Sequence, residues 1–292
     1  MKFLFGSICL FLFIILAACG NGTDEPEDTA TDVSSNGSSD SASADGLPEL
    51  PKFVKDRGKL VVGVKADYPP FGFINEKGEN DGFDIDLAKQ LAEYAFGDPN
   101  AIEFVPVTAS NRIPFLTSKK IDLLIATLGV TDERKEQIDF SKPYYNSSVL
   151  FLVPNESDIT KMEDVKDKEV IAIKGSMGSI ELEELSPSTK QLKLDNTSEG
   201  VRALKSGRGV AMIQDDILLY DIVKNNPDLK VVGEPFALGL MAVGIRKGEE
   251  DWDNWVNAAI DKGAEEDLFY EWFKKWYPED HVNVPEYLPR PK

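Results

Sequence analysis

Leu60-Val61-Val62-Gly63-Val64 is a short, nearly continuous apolar run; Phe83, Leu87, Leu91 and Tyr94 then recur at helical spacing, and Ile102 to Val107 is a second apolar run. Strand, helix, strand in this order is the pattern of an open α/β fold, because pairing two strands in parallel needs a crossover long enough for a helix. Working outward, Ile121 to Ala126, Val149 to Val153, Val170 to Lys174, Gln191 to Leu194, Val210 to Gln214, Leu229 to Val232 and Leu240 to Ile245 read as further strands. Helical spacing returns in Val201 with Leu204 and in Ile217 with Tyr220. The series restarts after Pro154, and the chain is too long for one sheet of ordinary size, so two lobes are expected. Asp195-Asn196-Thr197 and Gly207-Arg208-Gly209 read as turns rather than phosphate loops. Asp251 to Tyr277 reads as two helices whose Trp252, Trp255, Phe269, Trp272, Phe273 and Trp276 are expected to anchor a core rather than to stack on a sugar.

The beginning of the chain has a different character. Met1-Lys2 precede an apolar run from Phe3 to Ile15, and Leu16-Ala17-Ala18-Cys19 follows. The run is short for a membrane span and ends in small residues, which predicts a signal peptide over residues 1–18. Leu-Ala-Ala-Cys resembles a bacterial lipobox, which implies cleavage before Cys19 and lipidation of its sulfur; two acyl chains would hold the protein at a membrane surface. The 2 cysteines are Cys9 and Cys19, so no disulfide is expected within the mature chain. Residues 20–51 are rich in Ser, Gly, Thr, Pro and acids with almost nothing apolar, so residues 19–51 are expected to be the lipidated cysteine and a disordered tether. The formal net charge of -19 speaks against nucleic acid or anionic lipid as a partner.

Three stretches carry a family resemblance. The first is Gly63-Val64-Lys65-Ala66-Asp67-Tyr68-Pro69-Pro70-Phe71 with Gly82-Phe83-Asp84-Ile85-Asp86-Leu87-Ala88. The second runs from Asp122 to Thr127 into Gly129-Val130-Thr131-Asp132-Glu133-Arg134 and Ile138-Asp139-Phe140-Ser141-Lys142-Pro143-Tyr144. The third joins Lys174-Gly175-Ser176-Met177-Gly178-Ser179 to Gln214-Asp215-Asp216. Together they resemble the polar amino-acid family of periplasmic-type solute-binding proteins, the extracellular receptors of ABC importers, which includes histidine-, glutamine- and glutamate/aspartate-binding proteins. The resemblance implies the two-lobed periplasmic binding protein fold of type II, α/β, each lobe a doubly wound sheet flanked by helices. Two chain crossings would make a hinge, with residues 52–149 plus 240–292 in the first lobe and 150–239 in the second.

A buried amino acid is a zwitterion, so its site must supply a cation and an anion. By resemblance, Arg134 would grip the α-carboxylate, for which a guanidinium fork is suited. Asp215 would accept from the α-ammonium, while Asp216 reads as the first-turn acid of the next helix. Gly175, Ser176, Met177, Gly178 and Ser179, between a strand and a helix, would offer backbone N–H groups to the carboxylate. Ala126, Thr127 and Gly129 would add backbone contacts and a hydroxyl; where several relatives carry Ser or Thr, Gly129 has only its backbone to give. Tyr68 and Phe71 would flank the guest's side chain, Phe71 being equally readable as core. Lys65 and Arg112 resemble the cations that reach a side-chain carboxylate, which makes glutamate or aspartate the expected ligand and glutamine or cystine the alternative. The other possibility is that Arg112 pairs with an internal acid and Lys65 faces water.

Enzymes such as dehydratases share this fold. The single histidine, His281, stands near the C-terminal end, and neither Gly-x-Ser-x-Gly nor His-Glu-x-x-His occurs. The expectation is a monomeric binding protein, without cofactor or metal, that is lipid-anchored on the outer face of the cytoplasmic membrane and delivers its amino acid to a permease and its ATPase.

Overall fold

The computed structural model describes residues 46–277 and 288–291. Cys19, the signal peptide, most of the acidic stretch and His281 lie outside the described residues. In chain order the elements are α1 (Lys52–Arg57), β1 (Leu60–Val64), β2 (Asp67–Tyr68), β3 (Gly72–Ile74), β4 (Asn80–Asp81), α2 (Phe83–Phe96), β5 (Ile102–Pro106), α3 (Arg112–Thr117), β6 (Leu123–Leu124), α4 (Asp132–Gln137) and β7 (Ile138–Pro154). After a 3-10 turn at Met162–Val165 come β8 (Glu169–Ile173), α5 (Met177–Leu185), β9 (Lys190–Leu194), α6 (Thr197–Lys205), β10 (Ala211–Asp215), α7 (Asp216–Lys224), β11 (Leu229–Arg246), α8 (Glu250–Glu265) and α9 (Leu268–Trp276).

Strand β1 is buried along most of its length because it pairs in parallel with both β5 and β6, which is why it reads as an unbroken apolar run. Helix α2 begins after Gly82, where a Cβ would lie 2.1 Å from the Phe71 carbonyl oxygen, and stops at Gly97 in the left-handed conformation. Between these glycines Phe83, Leu87 and Leu91 repeat at four-residue spacing and are buried.

One eight-stranded sheet in the order β5-β1-β6-β11-β7-β10-β8-β9 serves both lobes, and β2-β3-β4 form a small antiparallel sheet. The long antiparallel strands β7 and β11 lie at its centre. On one side β1, β5 and β6 run parallel, and on the other β8, β9 and β10 do. The result is the expected two-lobed α/β fold, with β7 and β11 as the two crossings. Their pairing shifts register at four places, between Val232 and Phe236, Phe236 and Leu238, Met241 and Ala242, and Ala242 and Gly244.

Trp252 and Trp255 stack at 5.1 Å and are buried, as are Phe269 and Phe273, while Trp272 and Trp276 pack half-buried against the same core. Three boundaries differ from the sequence reading. Leu47 is buried and Leu50 packs beside it, so the folded part starts before residue 52. The run from Ile121 to Ala126 pairs only at Leu123–Leu124, because Asp122 turns its carboxylate to the Val61 N–H at 2.8 Å and to Arg57. Leu229 to Val232 and Leu240 to Ile245 are one strand, held through its glycine-containing middle by β7. Among the described residues no helix is long and apolar enough to cross a membrane.

Candidate functional site

Strand ends and helix starts from both lobes converge on a narrow cleft lined by Lys65, Tyr68, Ala109, Arg112, Thr127, Ile173, Ser176, Met177, Thr197, Gln214 and Asp215. From the first lobe, Lys65 follows β1 and is buried, with Nζ 3.1 Å from Asp67 Oδ1 and 5.7 Å from the centre of the Tyr68 ring. Arg112 opens α3; its Nη1 donates to the carbonyls of Ala126 (2.6 Å) and Thr127 (3.1 Å), and its Nη2 to that of Gly175 (3.4 Å). Thr127 takes a positive φ of 46° and donates its N–H to Asp84 Oδ2 at 2.8 Å, while the Tyr144 hydroxyl donates to Asp84 Oδ1 at 2.8 Å. Arg134 lies in α4, whose cap Thr131 accepts from the Arg134 N–H at 3.2 Å. Its buried guanidinium donates to Gly129 O (2.5 Å) and Gly175 O (3.0 Å).

The second lobe contributes two helix starts. Ser176 caps α5 by accepting from the Ser179 N–H at 3.1 Å. Gly175 before it has φ 72°, and a Cβ there would lie 2.9 Å from the Ala109 carbonyl oxygen, so the lobes touch at a residue that must be glycine. Asp215 ends β10 and accepts from the Tyr68 hydroxyl of the first lobe. Asp216, the first residue of α7, accepts from Ser147 (2.8 Å) and Ser148 (2.5 Å) on the crossing strand β7.

Burial dominates the electrostatics. It pushes the Asp215 carboxyl up to about 6, against the Tyr68 hydrogen bond and the Arg112 and Arg134 charges, with Asp216 adding to the rise. It likewise pushes Asp84 up to about 6, opposed by the bonds from Thr127 and Tyr144 and by Arg112. Arg112 is brought down to about 9 by burial and by repulsion from Arg134. Burial also lowers Lys65, against the attraction of Asp67. A cleft that gathers buried cations from one lobe and a buried carboxylate from the other can neutralise a small solute bearing both signs.

Of the residues singled out from sequence, Lys65, Tyr68, Arg112, Thr127, Ser176, Met177 and Asp215 line the cleft. Ala126, Gly129, Arg134 and Gly175 join them through the carbonyl and guanidinium contacts above. Three are not brought to the lining. Phe71 is fully buried among Phe83 (5.6 Å) and Tyr145 (5.0 Å) and belongs to the core. Gly178 backs onto Ile213, and Ser179 gives its N–H to Ser176 Oγ at 3.1 Å and its hydroxyl to Gln191 at 2.7 Å. Arg112 meets carbonyls rather than an acid, and Lys65 meets Asp67 rather than water. Ala109, Ile173, Thr197, Gln214 and the supporting Asp84 were not among the site residues expected from the sequence. Thr197 was findable: it begins α6 directly after the cap Asn196, one residue beyond the cap position that Ser176 and Asp215 occupy at the other two strand-to-helix junctions.

Residues 60–279 match the family model of bacterial extracellular solute-binding proteins, family 3. The chain belongs to that family. Family 3 relatives include the ABC transporter glutamine-binding protein GlnH of Bacillus subtilis (strain 168), 36% identical over 275 residues that cover 94% of this chain and 96% of that protein. The L-cystine-binding protein TcyJ of Escherichia coli (strain K12) is 33% identical over 230 residues, covering 78% of this chain and 85% of that protein. Among solved structures, the cysteine-binding protein from Campylobacter jejuni superposes with a TM-score of 0.77 at 36% identity, covering 79% of this chain and 95% of that one. An ancestral arginine-binding protein bound to glutamine does so with a TM-score of 0.71 at 36% identity, covering 76% and 99%. As a family 3 member this chain is an extracytoplasmic solute-binding protein and not an enzyme.

Proposed function

We propose that the chain captures an uncharged polar L-amino acid, glutamine foremost, and delivers it to an ABC permease. The observation that carries this reading is that a buried guanidinium of the first lobe, Arg134, and a buried carboxylate of the second, Asp215, lie within electrostatic reach of each other at one cleft. Arg134 takes the α-carboxylate, helped by the backbone at the start of α5, and Asp215 takes the α-ammonium. Neither charge would be tolerated in a buried site without an opposite charge from the guest or the protein.

The side-chain preference differs from the glutamate or aspartate expected from Lys65 and Arg112 alone. Those two cations and Arg134 stand with the acids Asp67, Asp84, Asp215 and Asp216, so the site holds no excess of cations to reward a side-chain carboxylate. Relatives named for binding glutamine or cystine support the same choice. Isothermal titration of the purified protein with glutamine, cystine, glutamate, aspartate and arginine tests it. Glutamine is expected to bind most tightly; a clear preference for glutamate, aspartate or arginine would refute the ligand assignment, and no binding of any would refute the function.

We further assign the described part of the chain to a monomer with one lobe from residue 47 to 149 plus 240 onward and the other from 150 to 239, tethered through lipid on Cys19. Detergent phase partitioning of the protein made in its cell, with Cys19→Ser as comparison, checks the anchor: the variant is expected to leave the detergent phase.

A further inference from the structure

We propose that Asp67 decides between an amide and a carboxylate on the guest's side chain by cancelling the charge of Lys65 within the cleft. The inference rests on the amino-acid-binding role given above. Lys65 is buried at 4% exposure and lines the cleft, whereas Asp67 is not among the lining residues and its side chain is 32% exposed. Their charged atoms are 3.1 Å apart. The other charged groups that act on Lys65 are Arg112 and Asp215, and Asp67 has the largest influence of the three.

The pair is built into the wall rather than formed by two loose side chains. Asp67 is fixed in the ladder of β2 and β3, where it pairs with Phe73 and Tyr68 pairs with Gly72. The backbone of Lys65 is packed against Gly72 so closely that a Cβ there would lie 2.6 Å from the Lys65 carbonyl oxygen. The turn from β1 into β2 therefore holds ammonium and carboxylate together two residues apart. Seen from the cleft, such a pair presents ammonium donors but almost no net charge. An amide oxygen can accept from those donors, while a carboxylate gains most from an uncancelled cation that Lys65 no longer offers. Arg112 is braced by the carbonyls of Ala126, Thr127 and Gly175 and keeps its charge with or without Asp67, so the charge that Asp67 controls is that of Lys65 alone.

The test is Asp67→Asn, nearly isosteric and at a partly exposed position, with dissociation constants for glutamine and glutamate measured by titration calorimetry in the parent, in Asp67→Asn and in Asp67→Asn combined with Lys65→Met. Unmasking Lys65 is expected to move the ratio of the two constants toward glutamate by about tenfold, the difference between a charged and a neutral hydrogen bond. Adding Lys65→Met is expected to remove that gain. A ratio that stays within about twofold of the parent's in a variant of unchanged circular dichroism overturns the role of Asp67. A gain that persists in the double variant overturns it too. Should asparagine at 67 fail to fold, Asp67→Ser carries the same comparison. A parent that binds glutamine with an unmoved ratio in the variant refutes only this inference; a parent that binds neither amino acid removes the functional reading and this one together.

Discussion

Replacing Asp215 with asparagine preserves the side chain's shape and leaves an oxygen for the Tyr68 hydroxyl, yet deletes the one acid among the residues lining the cleft. If that carboxylate receives the ammonium of the guest, its loss leaves a buried charge without a partner, which costs about 3–5 kcal/mol. At about 1.4 kcal/mol per decade, glutamine binding is expected to weaken by roughly two to four powers of ten. The same group gives a second readout. Its carboxyl titrates at about 6 in the unliganded protein, and only the ionised form can hold the ammonium. Near pH 5, one unit lower, roughly one molecule in eleven is ionised, so the apparent dissociation constant is expected to rise about tenfold from its value near pH 7. Asp84 titrates in the same range, but its contacts are to Thr127 and Tyr144, so the two contributions separate in the variant. Calorimetric titration of parent and Asp215→Asn at three pH values, with the thermal midpoint as a folding control, measures both effects. A folded variant that keeps its affinity within about threefold, or a parent with a flat profile between pH 5 and 7, would refute the assignment of Asp215.

Gly175→Ala puts a Cβ at 2.9 Å from the Ala109 carbonyl oxygen and strains a φ of 72° by about 1 kcal/mol; ligand affinity is expected to fall about tenfold or more, with a larger radius of gyration by X-ray scattering as the lobes are held apart. Asp84 in the folded state titrates at about 6, above the ordinary unfolded range near 4, so the folded protein holds the extra proton between those values. Its ionisation lowers stability as pH rises through that window, and urea unfolding should therefore show the parent gaining on Asp84→Asn, by a few kcal/mol at most, as pH falls from about 7 to about 4. Leu47→Ala removes a side chain that is 3% exposed and is expected to destabilise by about 2–3 kcal/mol in urea while leaving the glutamine dissociation constant unchanged, and a chain beginning at residue 52 should show the same loss.

The fold was largely legible because burial on both faces leaves its mark on sequence: β1 and β8 read as unbroken apolar runs, and α2 as an apolar stripe between two glycines. The crossings were harder. Residues 141–148 of β7 are mostly polar and aromatic, and β11 carries glycines through its middle, so neither shows the alternation that announces a strand; their ladder with each other holds them extended. In the site, strand-to-helix junctions were readable at Gly175 and Asp215, where local chain chemistry dictates position. What failed depended on tertiary direction. Ser179 sits in the first turn of α5, and only the placed partners, Ser176 for its N–H and Gln191 for its hydroxyl, show that both donors are taken within the second lobe. Phe71 and Tyr68 stand three residues apart, one in the aromatic core and one in the wall, and nothing in the residue types separates them. The proposed uncharged guest departs from the acidic-ligand expectation on the same ground: counting cations at Lys65 and Arg112 ignores the carboxylate that the β2 ladder sets beside Lys65.

Both described connections between the halves, β7 and β11, run side by side and are hydrogen-bonded to one another. A ribbon of this kind yields where its register breaks, around residues 232–242, and resists shear elsewhere because sliding would tear ladder bonds. On the proposed reading, closure on any guest would change one mechanical variable, the angle about this single spine. A membrane partner that gauges that angle at the outer rims learns whether the receptor is loaded without ever touching the cargo.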